Sequence, residues 1–348
     1  MVSREEYDGN EGELEYEDNP QMADWDGMER KRASWIRGSS VDPEVIFDTV
    51  KVSVDKETGK KAFSGGPYIR LFGPDGNPFV YTTGKGSRIK FSKASLFTFT
   101  SKMSCPSFSL PAGPTTGGTC PASKPSSIEA EGSYREYSPS LSSKGPGTFI
   151  CDLCYAGKSN YLMYPNISAG QMAKKHWVLQ TMKDGSFAQK MGDAVEMVFD
   201  KRIEKVLLGN GLSNRFFRIH DSGDFFTKDY YRDWVEICSR FKGRLNPDGG
   251  HLIYFWAPTR MWVYKDYLDL FRSVPPPANL ALRPSALFTG APAPMIPGMA
   301  AGSTSAEDPG LVQAFNCPAY ESDLASCAGT RCRKCWTLKK TPINYTTH

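Results

Sequence analysis

The sequence lacks any apolar run near the ~20 residues that cross a bilayer, so no membrane span is expected. Its first residues have neither the basic start nor the apolar stretch of a secretory signal. It contains no G-x-G-x-x-G and no Walker loop, which leaves a dinucleotide-binding Rossmann domain and a P-loop NTPase unsupported. No internal repeat is present, and no concentrated Lys/Arg stripe marks a nucleic-acid face. The expected protein is soluble and intracellular, with nucleic-acid contact permitted by its basic body but signalled by no motif.

What is present is ordinary globular material. The 348 residues are 40% hydrophobic and 23% charged, enough for a sizeable core in one or two domains. The net charge of +4 conceals a split. Residues 1–30 hold eleven Asp or Glu against Arg4 and Arg30, a balance of −9, so the remainder carries +13. Such an acidic stretch, poor in apolar residues, does not fold alone. It reads as a solvated tail.

Nine cysteines are many for a chain with no secretion signal. A reducing cytosol argues against a disulfide framework, which leaves metal binding or catalysis. Eight of them form two groups by sequence: Cys105, Cys120, Cys151 and Cys154, then Cys317, Cys327, Cys332 and Cys335. Each group contains one C-x-x-C. Cys238, on the apolar face of an expected helix, reads as a small hydrophobe. Four thiolates suit either a tetrahedral zinc ion or a cubane iron–sulfur cluster. The irregular gaps of fourteen, thirty and nine residues differ from the paired knuckles of zinc ribbons. Prolines directly after Cys105, Cys120 and Cys317 also favour clusters. Gly147 stands where the first cysteine of a C-x3-C-x2-C would fall, so that motif of radical S-adenosylmethionine enzymes is broken. Tyr155 and Lys158, just beyond the knuckle, read as a packed tyrosine and a solvated lysine.

Alternating apolar and polar residues over 45–104, with Thr-Gly and Pro-Asp-Gly-Asn turn signals, predict two β-hairpins. Residues 105–150 are rich in Pro, Gly and Ser and read as irregular chain. From about 167 the period becomes helical, with Phe187, Met191, Val195 and Val198 on one face. "RFFRIH", "HLIYFWA" and "NLALRPSALF" then read as strands alternating with helices over "KDYYRDWVEICSRF" and "VYKDYLDLF". That order implies a parallel sheet. The expected fold is α/β: a parallel-sheet, partial (β/α) barrel-like core with an N-terminal antiparallel β region and irregular cysteine-rich segments. Three parts are expected: an acidic segment over 1–40, a β-hairpin region over 41–104 packed on the core, and an iron–sulfur α/β core over 105–348.

Ligands in parallel α/β folds bind beyond the carboxyl ends of the strands. The three predicted strands end in His220, Asp221, Ser222, Gly223 and Asp224, in Thr259 and Arg260, and in Arg283 and Ser285. These nine are the candidate cofactor-binding residues. His220, Asp224 and Arg260 are the candidate catalytic groups. Singly, each also suits a structural role, such as capping or ion pairing.

"FSLPAG…TCP", "CDLCYAG", "RIHDSGDFF", a strand ending in Thr-Arg, and "CRKCW", in that order, resemble the Gene Product 88 family of bacteriophage proteins over roughly residues 100–338. The resemblance implies a phage protein, at work in the cytoplasm of the infected host, that binds iron–sulfur clusters. The "SGD" strand end is similar to the glycine-rich strand end of radical S-adenosylmethionine barrels. The expected function is an iron–sulfur oxidoreductase or electron-transfer protein with two four-cysteine [4Fe-4S] clusters and a redox partner from the host. A flavin, FAD or FMN, at the strand ends would split or gather electron pairs. The alternatives are a zinc-stabilised module that binds nucleic acid or a host protein, and a divergent radical S-adenosylmethionine enzyme.

Overall fold

A computed structural model describes residues 40–54, 61–72, 77, 79–82, 88–99, 103, 105–113, 118–123, 147–154, 156, 165–199, 216–243, 253–306, 313–321, 327, 330 and 332–345. The acidic stretch over 1–30, most of both turn signals, Tyr155 and Lys158 lie outside these residues. All nine cysteines lie within them, and all are free thiols.

The N-terminal part is antiparallel, as expected, but its pairing differs. Strand β1 (Ser40–Val54) pairs with β2 (Lys61–Phe72), the first predicted hairpin. Among the described residues the second does not form. β2 runs on through "YIRLF" and pairs with β5 (Lys93–Ser95), while β3 (Phe79–Thr82) pairs with β4 (Arg88–Phe91). Gly66, at φ +94°, keeps β2 continuous beside a bulge in β1 between Asp48 and Lys51.

The core sheet has the order β10-β9-β8-β7-β6. Strands β7 (Pro106–Ser107), β8 (Phe216–Arg218), β9 (Tyr254–Thr259) and β10 (Leu280–Pro284) are mutually parallel, and β6 (Thr98–Phe99) is antiparallel to β7. No closed barrel forms among the described residues. A further small sheet joins β11 (Ser303–Thr304), β12 (Phe315–Asn316) and β13 (Ile343–Asn344).

Helix α1 (Pro165–Lys183) packs on the N-terminal strands β1, β2 and β5. The expected apolar stripes appear in α2 (Phe187–Val198), α3 (Lys228–Lys242) and α4 (Lys265–Ser273). Phe187, Met191, Val195 and Val198 of α2 are all buried. So are Tyr230, Trp234, Ile237, Cys238 and Phe241 of α3. Thr227 caps α3 by accepting from the Tyr230 amide at 3.1 Å, worth about 1 kcal/mol. Arg240 and Lys242 in the last turn complement the helix dipole.

The core sheet is buried on both faces, and the two coverings differ. Phe217, Phe255, Ala257, Leu280 and Leu282 join the core cluster that includes these helical stripes. Their neighbours in the strands, Trp256 and Ala281, join a second cluster with Cys105, Cys317, Cys335 and Trp336. That covering comes from the C-terminal chain, including α5 (Pro318–Glu321) and α6 (Lys334–Thr337). Burial on both sides explains why β9 and β10 read as continuous apolar runs.

Candidate metal and ligand site

At the carboxyl ends of the strands, the segment after β8 turns sharply. Gly223 has φ +91°, and a Cβ there would lie 2.6 Å from Thr119 Oγ1 and 2.9 Å from Leu110 Cβ. Only glycine lets Leu110 and Thr119 lie this close. Backbone bonds fasten them: Leu110 N to Ser222 O at 3.0 Å, and Asp224 N to Thr119 O at 3.0 Å. Ser222 Oγ donates to Leu110 O at 2.7 Å and accepts from Gln171 Nε2 at 2.8 Å. Cys120 is thereby set beside Asp224.

The C-x-x-C knuckle arrives from another direction. Its short 3-10 turn, Ile150–Leu153, is tied to the chain after β10 by Ile150 N to Leu287 O at 2.8 Å. Thr289 N donates to Thr148 O at 3.0 Å, and Phe149 bridges Phe288. Gly147 lies against Thr289, where an added Cβ would collide with the Thr289 carbonyl oxygen. A cysteine at 147 would not fit there without movement.

These elements bring Cys120, Cys151 and Cys154 together around Asp224 and Arg260. Burial raises the Cys120 thiol above its ordinary pKa, and Asp224, Cys151 and Cys154 add to the rise. Burial also raises Cys151, with Arg260 opposing. For Arg260, burial works against the charge, but Cys151, Cys154, Asp224 and Cys120 together hold it more basic than usual. Asp224 is fully buried and organises the centre. Its Oδ1 accepts from Phe225 N at 2.8 Å and Thr259 Oγ1 at 2.7 Å, and its Oδ2 accepts from Arg260 N at 2.8 Å. Burial raises its pKa, and these bonds oppose the rise. The Arg260 guanidinium donates through Nε to Ala286 O at 3.3 Å.

The other thiols gather on the sheet face opposite the helices. Cys105, Cys317 and Cys335 share the second cluster with Trp256 and Trp336, and Cys327 packs against it. Burial lifts Cys105 to about 12, with Arg218 and Arg333 opposing and Cys327 reinforcing. Burial lifts Cys335 to about 12 as well, with Cys327 and Cys317 reinforcing. Burial raises Cys327, and neighbouring Cys332 raises it further. Cys335 Sγ lies 3.2 Å from Tyr345 Oη. Arg333 donates to the carbonyls of Cys327 at 2.9 Å and Cys332 at 2.7 Å, and its guanidinium lies 5.6 Å from the Phe216 ring centre.

The structure therefore divides eight cysteines three and five, not four and four. Cys105, just before β7, packs with Cys317 and Cys335, whereas Cys120 lies beyond the carboxyl end of the strands beside Asp224. Among the described residues no three His, Cys, Asp or Glu side chains are arranged to hold a metal ion.

The predicted strand-end residues separate in a similar way. Asp224, Thr259 and Arg260 converge on Cys120, Cys151 and Cys154. Arg283 does not join them. It points to the opposite face, where it donates to the carbonyls of Ala301, Gly302, Cys335 and Leu338. Ser285 bonds Ser303 Oγ at 3.2 Å, and its carbonyl accepts from Trp262 Nε1 at 3.0 Å. Asp221 is paired with Arg218 at 2.7 Å. His220 lies against Phe225, with ring centres 4.5 Å apart, and near Tyr230. Neither of its ring nitrogens makes a hydrogen bond of good geometry, although the Pro258 carbonyl favours a proton. Burial and then Arg218 lower its pKa to about 3, so it is neutral and packed. The sequence reading missed Arg218, Arg333 and Tyr345 beside the C-terminal thiols. It also missed Lys174, a buried lysine 3.4 Å from Ser109 Oγ. No motif announces any of the four.

Fold and site together define an α/β protein with a mainly parallel core sheet and two thiol-rich centres, one across a sheet face and one at the strand ends. The family model described as Gene product 88 matches residues 82–338, and the chain belongs to that phage-derived family. No curated protein and no solved structure matches the chain. Among the described residues, no helix is long and apolar enough to cross a membrane.

Proposed function

We propose that this chain is an iron–sulfur redox protein of the phage-infected cytoplasm, with one cluster at each thiol group. The observation that carries the reading is the gathering of eight thiols into two sets, three of the thiols buried and five half-buried. A buried thiol whose pKa is raised keeps its proton in an apolar setting, and iron replaces that proton when it binds. The chemistry of the donors supports the reading, since thiolates are the ordinary ligands of iron–sulfur clusters, although the described side chains are not arranged around an ion. In the C-terminal set, Cys105, Cys317, Cys327, Cys332 and Cys335 supply more than the four thiolates a closed cluster takes. Arg218 and Arg333 lie beside them to offset the negative charge of such a centre. A closed cluster supplies one-electron transfer.

The flavin expectation drops out of the proposal. Ser222, Gly223 and Asp224, which were to hold it, are taken up by the chain that delivers Cys120, and Arg283 faces the other way.

Anaerobic purification followed by iron, zinc and acid-labile sulfide analysis tests the reading. Brown protein with iron and sulfide in equal amounts supports it. Colourless protein with zinc and no sulfide replaces it with the zinc-stabilised binding module. One observation favours a second reading, a divergent radical S-adenosylmethionine enzyme: the set at the strand ends has three thiols, not four. Binding of S-adenosylmethionine to the iron-loaded protein separates this reading from simple electron transfer.

A further inference from the structure

We infer that the acidic stretch over residues 11–18 of this chain docks on a basic cleft of the N-terminal sheet, lined by Tyr68, Arg70, Ser92 and Lys93. The inference goes beyond the iron–sulfur reading and does not rest on it.

The register of the sheet makes the cleft. β2 and β5 pair with Tyr68 opposite Ser95, Ile69 opposite Ala94 and Arg70 opposite Lys93. Alternate residues of a strand share a face. Ile69 is fully buried, and Ala94 faces α1, its Cβ 3.5 Å from where a Cβ on Gly170 would stand. The other face therefore carries Tyr68, Arg70, Lys93 and Ser95. Arg70, Ser92 and Lys93 are exposed, and Tyr68 is half-buried. They line a cleft of about 330 Å³. Lys93 Nζ stands 4.6 Å from the centre of the Tyr68 ring. Like charges directly opposite in a sheet destabilise it. An anion laid between Arg70 and Lys93 removes that cost, and the Arg70 guanidinium offers a fork that matches a carboxylate.

The chain carries such an anion, tethered close by. Glu11, Glu13, Glu15 and Glu17 alternate, and Asp18 follows. In an extended chain the four glutamates fall on one side, about 7 Å apart. That spacing lets consecutive carboxylates engage the two cations. The tether enters the sheet beside the cleft. Ser40, the first residue of β1, pairs with Phe72, two residues along β2 from Arg70. Two residues of strand are about 7 Å, whereas the 21 residues between Asp18 and Ser40 reach up to about 70 Å. A covalent tether of this kind gives an effective concentration on the order of millimolar, so that weak surface ion pairs suffice. A nucleic-acid strand would need a longer basic track, and the sequence shows no concentrated Lys/Arg stripe.

The test is zero-length carbodiimide cross-linking of full-length protein, read by mass spectrometry on a mixture of chains labelled with 14N and with 15N. Lys93 should join Glu11, Glu13, Glu15, Glu17 or Asp18 within one chain. Raising NaCl to about 0.5 M should lower that yield about fivefold, because exposed ion pairs are screened. In Arg70→Gln, an exposed position, the yield should fall about threefold while far-UV circular dichroism stays as in wild type. A glutamyl endopeptidase should cut within residues 11–18 correspondingly faster in that variant. Cross-links from residues 11–18 to Lys31 with none to Lys93 overturn the inference, as does a yield indifferent to salt. Cross-links that join 14N to 15N chains overturn it in favour of a second copy. Binding of a labelled oligothymidylate that is lost in Arg70→Gln, with no link from Lys93 to residues 11–18, gives the cleft to nucleic acid instead. Iron and sulfide content is a separate measurement, so the two readings fail separately.

Discussion

Gly223 and Thr119 meet so closely that a methyl group on the glycine would lie 2.6 Å from the threonine hydroxyl. This contact joins the chain that carries Cys120 to the end of the central parallel strands. A Gly223→Ala substitution meets two costs: a backbone at φ +91°, which favours glycine, and a collision with Thr119 and Leu110. Together these are expected to cost about 2–4 kcal/mol. Iron at the strand-end centre should fall while the C-terminal centre is kept. Urea unfolding and iron analysis of the same preparation check both effects.

Asp224 holds three donors from two strand ends. Asn in its place offers one acceptor oxygen and turns an NH2 toward a donor. The expected loss is about 2–3 kcal/mol, since each bond to a buried charge is worth about 1.5–3 kcal/mol and part is recovered. Asp224→Asn should also loosen Arg260, whose backbone amide the carboxylate holds. Stability equal to wild type would show that the carboxylate is not organising the strand ends.

His220 gives a pH signature. Its folded pKa is about 3, below the ordinary 6.5, because burial and Arg218 disfavour the charged ring. Above pH 6.5 the ring is neutral folded and unfolded, and contributes no slope. As pH falls from 6.5 toward 3, only the unfolded chain takes up the proton, so stability is lost through that window. Between pH 7 and pH 5 the loss from this residue is about 2 kcal/mol. His220→Phe, which suits the contacts with Phe225 and Tyr230, should lose that much less over the same interval. Equal losses in the two proteins would place the acid sensitivity elsewhere.

Lys174 works at the other end of the scale. Burial lowers its pKa to about 8 from 10.5, and Asp221 opposes the shift. The cost of burying its charge is fully present below pH 8 and is relieved as the pH rises toward 10.5, where the folded ring of contacts holds a neutral amine. Wild-type stability should therefore gain about 2 kcal/mol on Lys174→Met between pH 7 and pH 9.5. Chemical denaturation of both proteins at the two pH values measures the difference. A constant gap would mean that Lys174 is solvated.

Periodicity made α2, α3 and α4 legible, together with the parallel strands β8, β9 and β10. Their apolar positions recur at helical spacing or run unbroken through a doubly buried sheet. The same double burial hid the alternation that turns Arg283 away from Arg260. In "LALRP", Leu280 and Leu282 join the cluster on the helical side while Ala281 joins the other, and Arg283 follows Ala281. The second predicted hairpin failed because "YIRLF" finds its partner in β5, which is more distant in sequence, while β3 pairs with β4. Cys105 was misplaced for a related reason. Nearness in sequence to Cys120 means little when the two cysteines lie on opposite sides of β7 along the chain, Cys105 packed against Cys317 and Cys335. The strand-end triad of Asp224, Thr259 and Arg260 was legible from strand ends alone. Arg218, Arg333 and Tyr345 were not, because their roles arise from packing against thiols distant in sequence.

The division of the thiols is the central claim, and Cys105→Ser tests it most directly. Clusters should be counted by Mössbauer and electron paramagnetic resonance spectroscopy on iron-loaded protein. We predict that the C-terminal centre is altered or lost while the strand-end signal stays as in wild type. Loss of the strand-end signal with an intact C-terminal centre would contradict the division and return Cys105 to Cys120, Cys151 and Cys154.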